Sequence, residues 1–248
     1  MRDWSLAKGD PLSLTLAADS RLSIPDYLND HTWELILGGG EPAAISLRTT
    51  YGLRAKSMRI FLRFSENGKS ISDPSTFALP ATVRRFYPNF TVVEYSPLPN
   101  IDVVTEYWVP QSNAICGRVT VANKSNAVRR IRLEVCALLA PIDGQGMTAT
   151  QLQLVNVLGG KTGGLVPVLF LTGGPAHGPG PHPSLYLDLE MGPGATRQLT
   201  WAQAAFEVMR ASFDLARQTA ARAWEAERAR IELLNSSQTI DIHTGDRD

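Results

Sequence analysis

Apolar and polar residues alternate with a period of two along most of the chain, from about Leu12 to about Ala205, and clusters of turn-forming residues interrupt the alternation. Alternation of this kind turns one face of a segment toward a core and the other toward water. Eleven segments carry it: SLTLA, WELIL, SMRIFLRF, TVVEY, DVVTEYWV, AICGRVTVAN, RRIRLEVCALL, QLQLVNVL, VPVLFLT, SLYLDLEM and RQLTWAQAAF. Turns, not helices, separate them, which predicts antiparallel pairing, and so many strands exceed one ordinary sheet. The expected fold class is mainly β: a large two-sheet antiparallel sandwich, of supersandwich size, followed by a C-terminal linker helix.

The period changes after Met209. ASFDLARQTAARAWEAERARIELLNSS lacks Gly and Pro and is rich in Ala, Arg, Glu and Leu, which predicts one long helix over about 211–235. Asp214 with Arg217, Arg222 with Glu225, and Arg228 with Glu232 stand at helical spacing for exposed ion pairs. One apolar stripe runs through Phe213, Ala216, Ala220, Trp224, Ile231 and Leu234, and a weaker one through Leu215, Thr219, Ala226, Ala229 and Leu233. A helix serving one surface needs one stripe, so Phe213, Trp224, Leu215 and Leu233 are candidates for interdomain packing. The expected organisation is a β-sandwich domain over 1–208, then linker helix and a short extended tail, TIDIHTGD, over 209–248.

AICGRVTVAN and RRIRLEVCALL read as a hairpin. Its apolar faces require an even index sum for paired residues, and the sum that sets Arg118 opposite Glu134 avoids opposing it to Arg132. That register places Cys116 directly opposite Cys136, within bridging range but reduced in a cytosol.

Composition narrows the function classes. The 248 residues are 44% hydrophobic and 19% charged, ordinary globular material, and Lys plus Arg (24) balances Asp plus Glu (24). Without a basic excess nucleic acid is not an expected partner. MRDWSLAKGDPLSL lacks the apolar core of a secretory signal and no stretch reaches bilayer-spanning length, so the expectation is a cytoplasmic protein with no membrane partner. Two cysteines match no zinc spacing.

Candidate chemistry is sparse. LGGKTGGL imitates the end of a phosphate-binding loop, but Val155 stands where the first Gly belongs and an apolar strand follows, so a hairpin turn is the reading. His177 and His182 flank a Gly- and Pro-rich run without further ligands, and His31 and His243 are isolated; no metal or cofactor is expected. On DVVTEYWV, Asp102, Glu106 and Trp108 share a face, but four residues of strand separate the two carboxylates by roughly 13 Å, beyond the ~5–9.5 Å of a glycosidase pair. No catalytic residue is assigned. Glu106 and Trp108, with Tyr107, form a candidate carbohydrate platform; a satisfied sheet carboxylate beside a packed Trp is the simpler alternative. PDYLNDHTWEL concentrates Asp26, Asn29, Asp30 and Glu34 around Tyr27 and Trp33, which suits a tight Asx-built loop or, alternatively, a ligand contact.

Several segments together resemble a known family: PDYLNDHTWELILGGGEP, TTYGLRAKSMRIF, PNFTVVEYSPLPNIDVVTEYWVP, PIDGQGM, VPVLFLTGGP and AWEAERARIELLNSS. From about Leu16 to Asp246 the chain is similar to the N-terminal β-sandwich domain of (α/α)6-barrel glycoside hydrolases of the glycogen-debranching and glucoamylase-like type. In that family catalytic carboxylates sit in the barrel, so the resemblance transfers none to this sequence. It implies a non-catalytic module of a larger enzyme acting on α-glucan-like carbohydrate, inactive alone, whose partner is a C-terminal (α/α)6 catalytic domain. The alternative is a free-standing carbohydrate-binding sandwich using Trp108 or Tyr107.

Overall fold

The computed structural model describes residues 4–5, 13–24, 26 and 31–236. The first eight strands are β1 (Trp4–Ser5), β2 (Ser13–Leu16), β3 (Trp33–Leu37), β4 (Ile45–Thr49), β5 (Ala55–Glu66), β6 (Lys69–Ile71), β7 (Leu79–Tyr87) and β8 (Phe90–Leu98). Then follow β9 (Ile101–Gln111), β10 (Ala114–Asn123), β11 (Arg129–Pro141), β12 (Gln145–Leu152), β13 (Val155–Lys161) and β14 (Val166–Leu171). The chain continues through β15 (Ala176–His177), β16 (Ser184–Met191), β17 (Thr196–Phe206), α1 (Met209–Ala220) and α2 (Trp224–Ser236).

Among the described residues the strands form two antiparallel sheets, one in the order β1-β7-β8-β9-β10-β17-β14-β13-β12 and one in the order β15-β16-β11-β5-β4-β3-β2, with β6 paired to β5. The expected mainly-β sandwich is the observed architecture. Their facing sides enclose one continuous core that includes Trp33, Phe64, Ile115, Val119, Leu133, Val135 and Trp201. Burial of a side chain of this size stabilises the fold by about 1.5–3 kcal/mol, offset by the entropy of ordering it.

The predicted hairpin of AICGRVTVAN with RRIRLEVCALL does not form. β10 pairs with β9 and β17, while β11 lies in the other sheet between β16 and β5. Residues 124–128 are a crossover between sheets, organised by the fully buried Asn123. Its Nδ2 donates to the carbonyls of Ala127, Met191 and Gly192, and its Oδ1 accepts from the Ser125 amide. The two apolar sets both point inward, as their period requires, but they meet face to face across the core instead of side by side on one sheet. Arg118 consequently sits opposite Glu106, not Glu134. Cys116 faces outward beneath the helices, and Cys136 faces outward from the other sheet beside Phe61.

Two further elements differ from expectation. QLQLVNVL is the end of β12, a turn and the start of β13: Gln153 and Leu154 adopt φ of 51° and 65°, a left-handed pair that matches the strand twist without Gly or Asn. The single long helix is two helices, interrupted at Ala221–Ala223. α1 seats Phe213 on Val157 and Val168, whereas α2 seats Trp224 near Trp108, so the break lets two anchors reach two different places on the same sheet. The tail TIDIHTGD with His243, and Tyr27, Asn29 and Asp30, lie outside the described residues.

Candidate functional site

Strand geometry places Glu106 and Trp108 on the outer side of β9 and Tyr107 on the inner side, as their spacing predicts. All three are closed off from solvent, with exposures of 2%, 2% and 3%. Tyr107 belongs to the intersheet core, its ring 6.3 Å from that of Trp201, and burial pushes its hydroxyl pKa up to about 12. Trp108 lies under α2 with Trp224 edge-on at 6.0 Å. A sugar platform requires an accessible ring face, so the predicted Glu106–Tyr107–Trp108 platform is not present as an open surface; α2 and the opposite sheet occupy both sides.

The carboxylate of Glu106 is instead the centre of a chain of ion pairs. Its Oε2 accepts from Arg118 Nε at 2.5 Å and its Oε1 from Arg228 Nη1 at 3.0 Å. Arg118 also binds Glu225; Arg228 donates through Nε to Glu232 at 2.8 Å; and Glu232 meets Arg85 from β7. Three guanidinium and three carboxylate groups therefore alternate from β10 and β9 through α2 to β7. Guanidinium groups also cover the ring faces: Arg118 lies 5.4 Å from Trp224 and Arg222 5.4 Å from Trp108. The arrangement fixes α2 on the sheet. It does not make Glu106 an acid–base catalyst, because both oxygens are committed to cationic donors. Asp102 is elsewhere on the strand, accepting from Ser96 Oγ at 2.7 Å, so the two carboxylates do not converge.

The sequence flagged Glu106 but missed Arg118, Arg228, Glu225 and Arg85 as its network. The signal was the 225, 228, 232 spacing of Glu, Arg and Glu, read as a solvated helix face when it is the face that meets the sheet. Of the predicted helix pairs, Asp214–Arg217 (3.9 Å) and Arg228–Glu232 form, whereas Arg222 reaches Glu227 at 3.7 Å instead of Glu225.

The remaining candidates are structural in their contacts. His177 Nε2 lies 3.2 and 3.1 Å from the carbonyls of Thr150 and Val157, and the His182 ring packs edge-on to Phe61. No group of three metal-ligating side chains occurs among the described residues. The Gly-rich segment is the β13–β14 turn, where Thr162 Oγ1 donates to the Arg54 carbonyl and accepts from the Ile142 amide. Gly163 has φ of 52°, and a Cβ there would collide with Arg54. No described helix is long and apolar enough to cross a membrane.

The packing candidates divide between the two sides of the helical layer. Phe213 is fully buried and Trp224 is 7% exposed, each against a different part of the sandwich, and Leu215 is half-buried against the cluster that holds Trp224. Leu233 is 70% exposed, and Ala226 and Ala229 beside it on α2 are exposed too.

Compared with protein-family models and with curated sequences, the chain matches none. Among solved structures it is similar to a bacterial glucoamylase complexed with acarbose, at 9% identity and a TM-score of 0.58, covering 90% of this chain and 37% of that one. It also matches a kojibiose-phosphorylase-type protein from the human microbiome (9% identity, TM-score 0.46, 84% of this chain and 28% of that one). A third is a galactose mutarotase related enzyme from Lactobacillus acidophilus (7% identity, TM-score 0.40, 78% and 97%). The sandwich is thus the fold of part of the glucoamylase chain, and the present chain spans about a third of the length of the first two structures.

Proposed function

We propose that this chain is a non-catalytic sandwich module of a larger glycoside hydrolase acting on α-glucan-like carbohydrate, and that it packs against an (α/α)6 helical-barrel catalytic domain through the α1–α2 layer. One observation carries the reading: the sandwich accounts for 90% of this chain but 37% of the glucoamylase chain it resembles. The commitment of Glu106 to Arg118 and Arg228 supports a packing role for that face over a hydrolytic one. So does the outward stripe of Ala226, Ala229 and Leu233, which the sandwich does not use.

The test is turnover. The isolated chain is expected to release no reducing sugar from α-glucans or aryl glycosides. Robust release, lost on substituting one Asp or Glu, overturns the reading.

A further inference from the structure

The opposite sheet carries a cleft that the packing reading does not use. At one end of its outer face β5, β11 and β16 lie side by side, with Arg132 paired in register to Ser65 on one side and Asp188 on the other, and Arg130 to Glu190. The β5–β6 hairpin rises beside them, turning at Asn67 and Gly68, whose φ values of 51° and 78° give the tight left-handed turn. Between hairpin and strands is a cleft of about 700 Å³, within the size range of small-molecule sites; Ile131 and Leu189 border it with their backbone, their side chains lying in the intersheet core.

Its walls are held in place before any ligand arrives. Arg132 grips Asp188 through two bonds of 2.8 and 2.9 Å, and its guanidinium stacks 3.9 Å from the Tyr186 ring. Ser65 and Ser70 hydroxyls join the two hairpin strands at 2.8 Å. Glu66 closes the end, its two oxygens taken by Arg129 at 2.6 Å each.

The charge balance selects the ligand. With Glu66 held by Arg129, the cleft presents Arg130 and Arg132 against Asp188 and Glu190 and carries no net charge. An anion would meet two carboxylates and a cation two guanidiniums, and an apolar ligand would leave these charges and the hydroxyls of Ser65 and Ser70 without solvent. A sugar hydroxyl both donates and accepts, so a neutral polyhydroxylated ligand matches the remaining guanidinium N–H groups and the carboxylate lone pairs left over once Arg132 has bonded both Asp188 oxygens and Arg130 one Glu190 oxygen. We infer that this cleft is a binding site for a neutral oligosaccharide. It lies on the sheet opposite the α1–α2 layer, so its failure leaves the packing reading standing.

The isotope-labelled 248-residue chain is titrated with maltotetraose, with cellotetraose and separately with sodium phosphate while backbone and Asn67 side-chain amide signals are followed. Saturable shifts with at least one of the oligosaccharides, confined to 65–70, 130–132 and 188–190, are expected. Asp188→Asn and, independently, Ser65→Ala should each weaken binding by about tenfold or more, equivalent to about 1.4 kcal/mol, with the melting transition retained. Because the Arg132–Asp188 pair is solvent-exposed, Asp188→Asn should fold; Ser65→Ala decides the matter if it does not. No saturable shift with either oligosaccharide, shifts that map elsewhere, tighter binding of phosphate, or binding unchanged in Ser65→Ala overturns the assignment.

Discussion

At the scale of single residues, a buried imidazole contributes to the response to acid. His31 is 1% exposed, its ring edge-on to Tyr51 at 4.8 Å, and among the described residues neither ring nitrogen has a hydrogen-bond partner. Burial, helped by the positive charge of Arg54 and opposed by Asp26, lowers its pKa from 6.5 to about 4. The unfolded chain binds a proton near pH 6.5 that the folded chain refuses until about pH 4, so stability falls as pH drops through this window. The shift corresponds to about 3 kcal/mol. Urea midpoints measured from pH 7 to pH 4 should fall less steeply in His31→Phe than in the parent; parallel curves would remove His31 from the account. Glu106 behaves differently, because it is itself a partner. Glu106→Ala removes the carboxylate that Arg118 and Arg228 share, leaving them Glu225 and Glu232, and should cost about 1.5–3 kcal/mol, whereas the exposed Glu190→Ala should stay within about 1 kcal/mol. Equal unfolding free energies for the two variants would refute the idea that the ion chain fixes α2.

At the scale of elements, α2 is held by Trp224 and Ile231 on its inner side and by ions at its flank. Trp224→Ala removes the ring that meets Trp108 and should cost about 3–5 kcal/mol, with amide exchange accelerated first in α2 and later in the strands. Uniform acceleration across the molecule would mean that α2 is not a separable layer. The cysteines test the crossover in the same way. Cys116 and Cys136 sit on different sheets, both buried, and burial pushes the Cys136 thiol up to about 12 and Cys116 up as well. Oxidation with diamide should therefore give no internal disulfide, and alkylation should require unfolding; a rapid native-state loss of two thiols would contradict the sheet assignment. What the sequence made legible follows from the same physics. Period two identifies which side of a strand is buried, and it placed Ile115, Val119, Leu133 and Val135 inward correctly. It does not say whether two inward sets are neighbours on one sheet or opposed across a core. Asn123, whose amide turns the chain from one sheet to the other, resembles any loop residue in sequence. The helix break at Ala221–Ala223 has no Gly or Pro to announce it, and Glu225, Arg228 and Glu232 look solvated because their partners, Arg118, Glu106 and Arg85, come from strands remote in sequence.

At the scale of the whole molecule, the two outer faces differ in kind. The face beneath α1 and α2 is finished with aromatic rings and shared charges, while the outer surface of α2 is left with Ala226, Ala229 and Leu233 in a line. A helix that only capped the sandwich would be expected to present a continuous polar face there, whereas this line is broken only by the exposed Arg230. Leu233 makes the sharper probe, because at 70% exposure its replacement touches no core contact. Leu233→Glu should change the folding free energy by no more than about 0.5 kcal/mol. It should nevertheless change association. With the stripe uncovered, the isolated chain is expected to self-associate weakly through it, seen as a sedimentation coefficient that rises with concentration, and Leu233→Glu should abolish that rise by placing a charge in the contact. Two results would count against a packing face on α2: a parent chain that sediments as a monomer at every concentration, or one whose association is indifferent to the charge at Leu233.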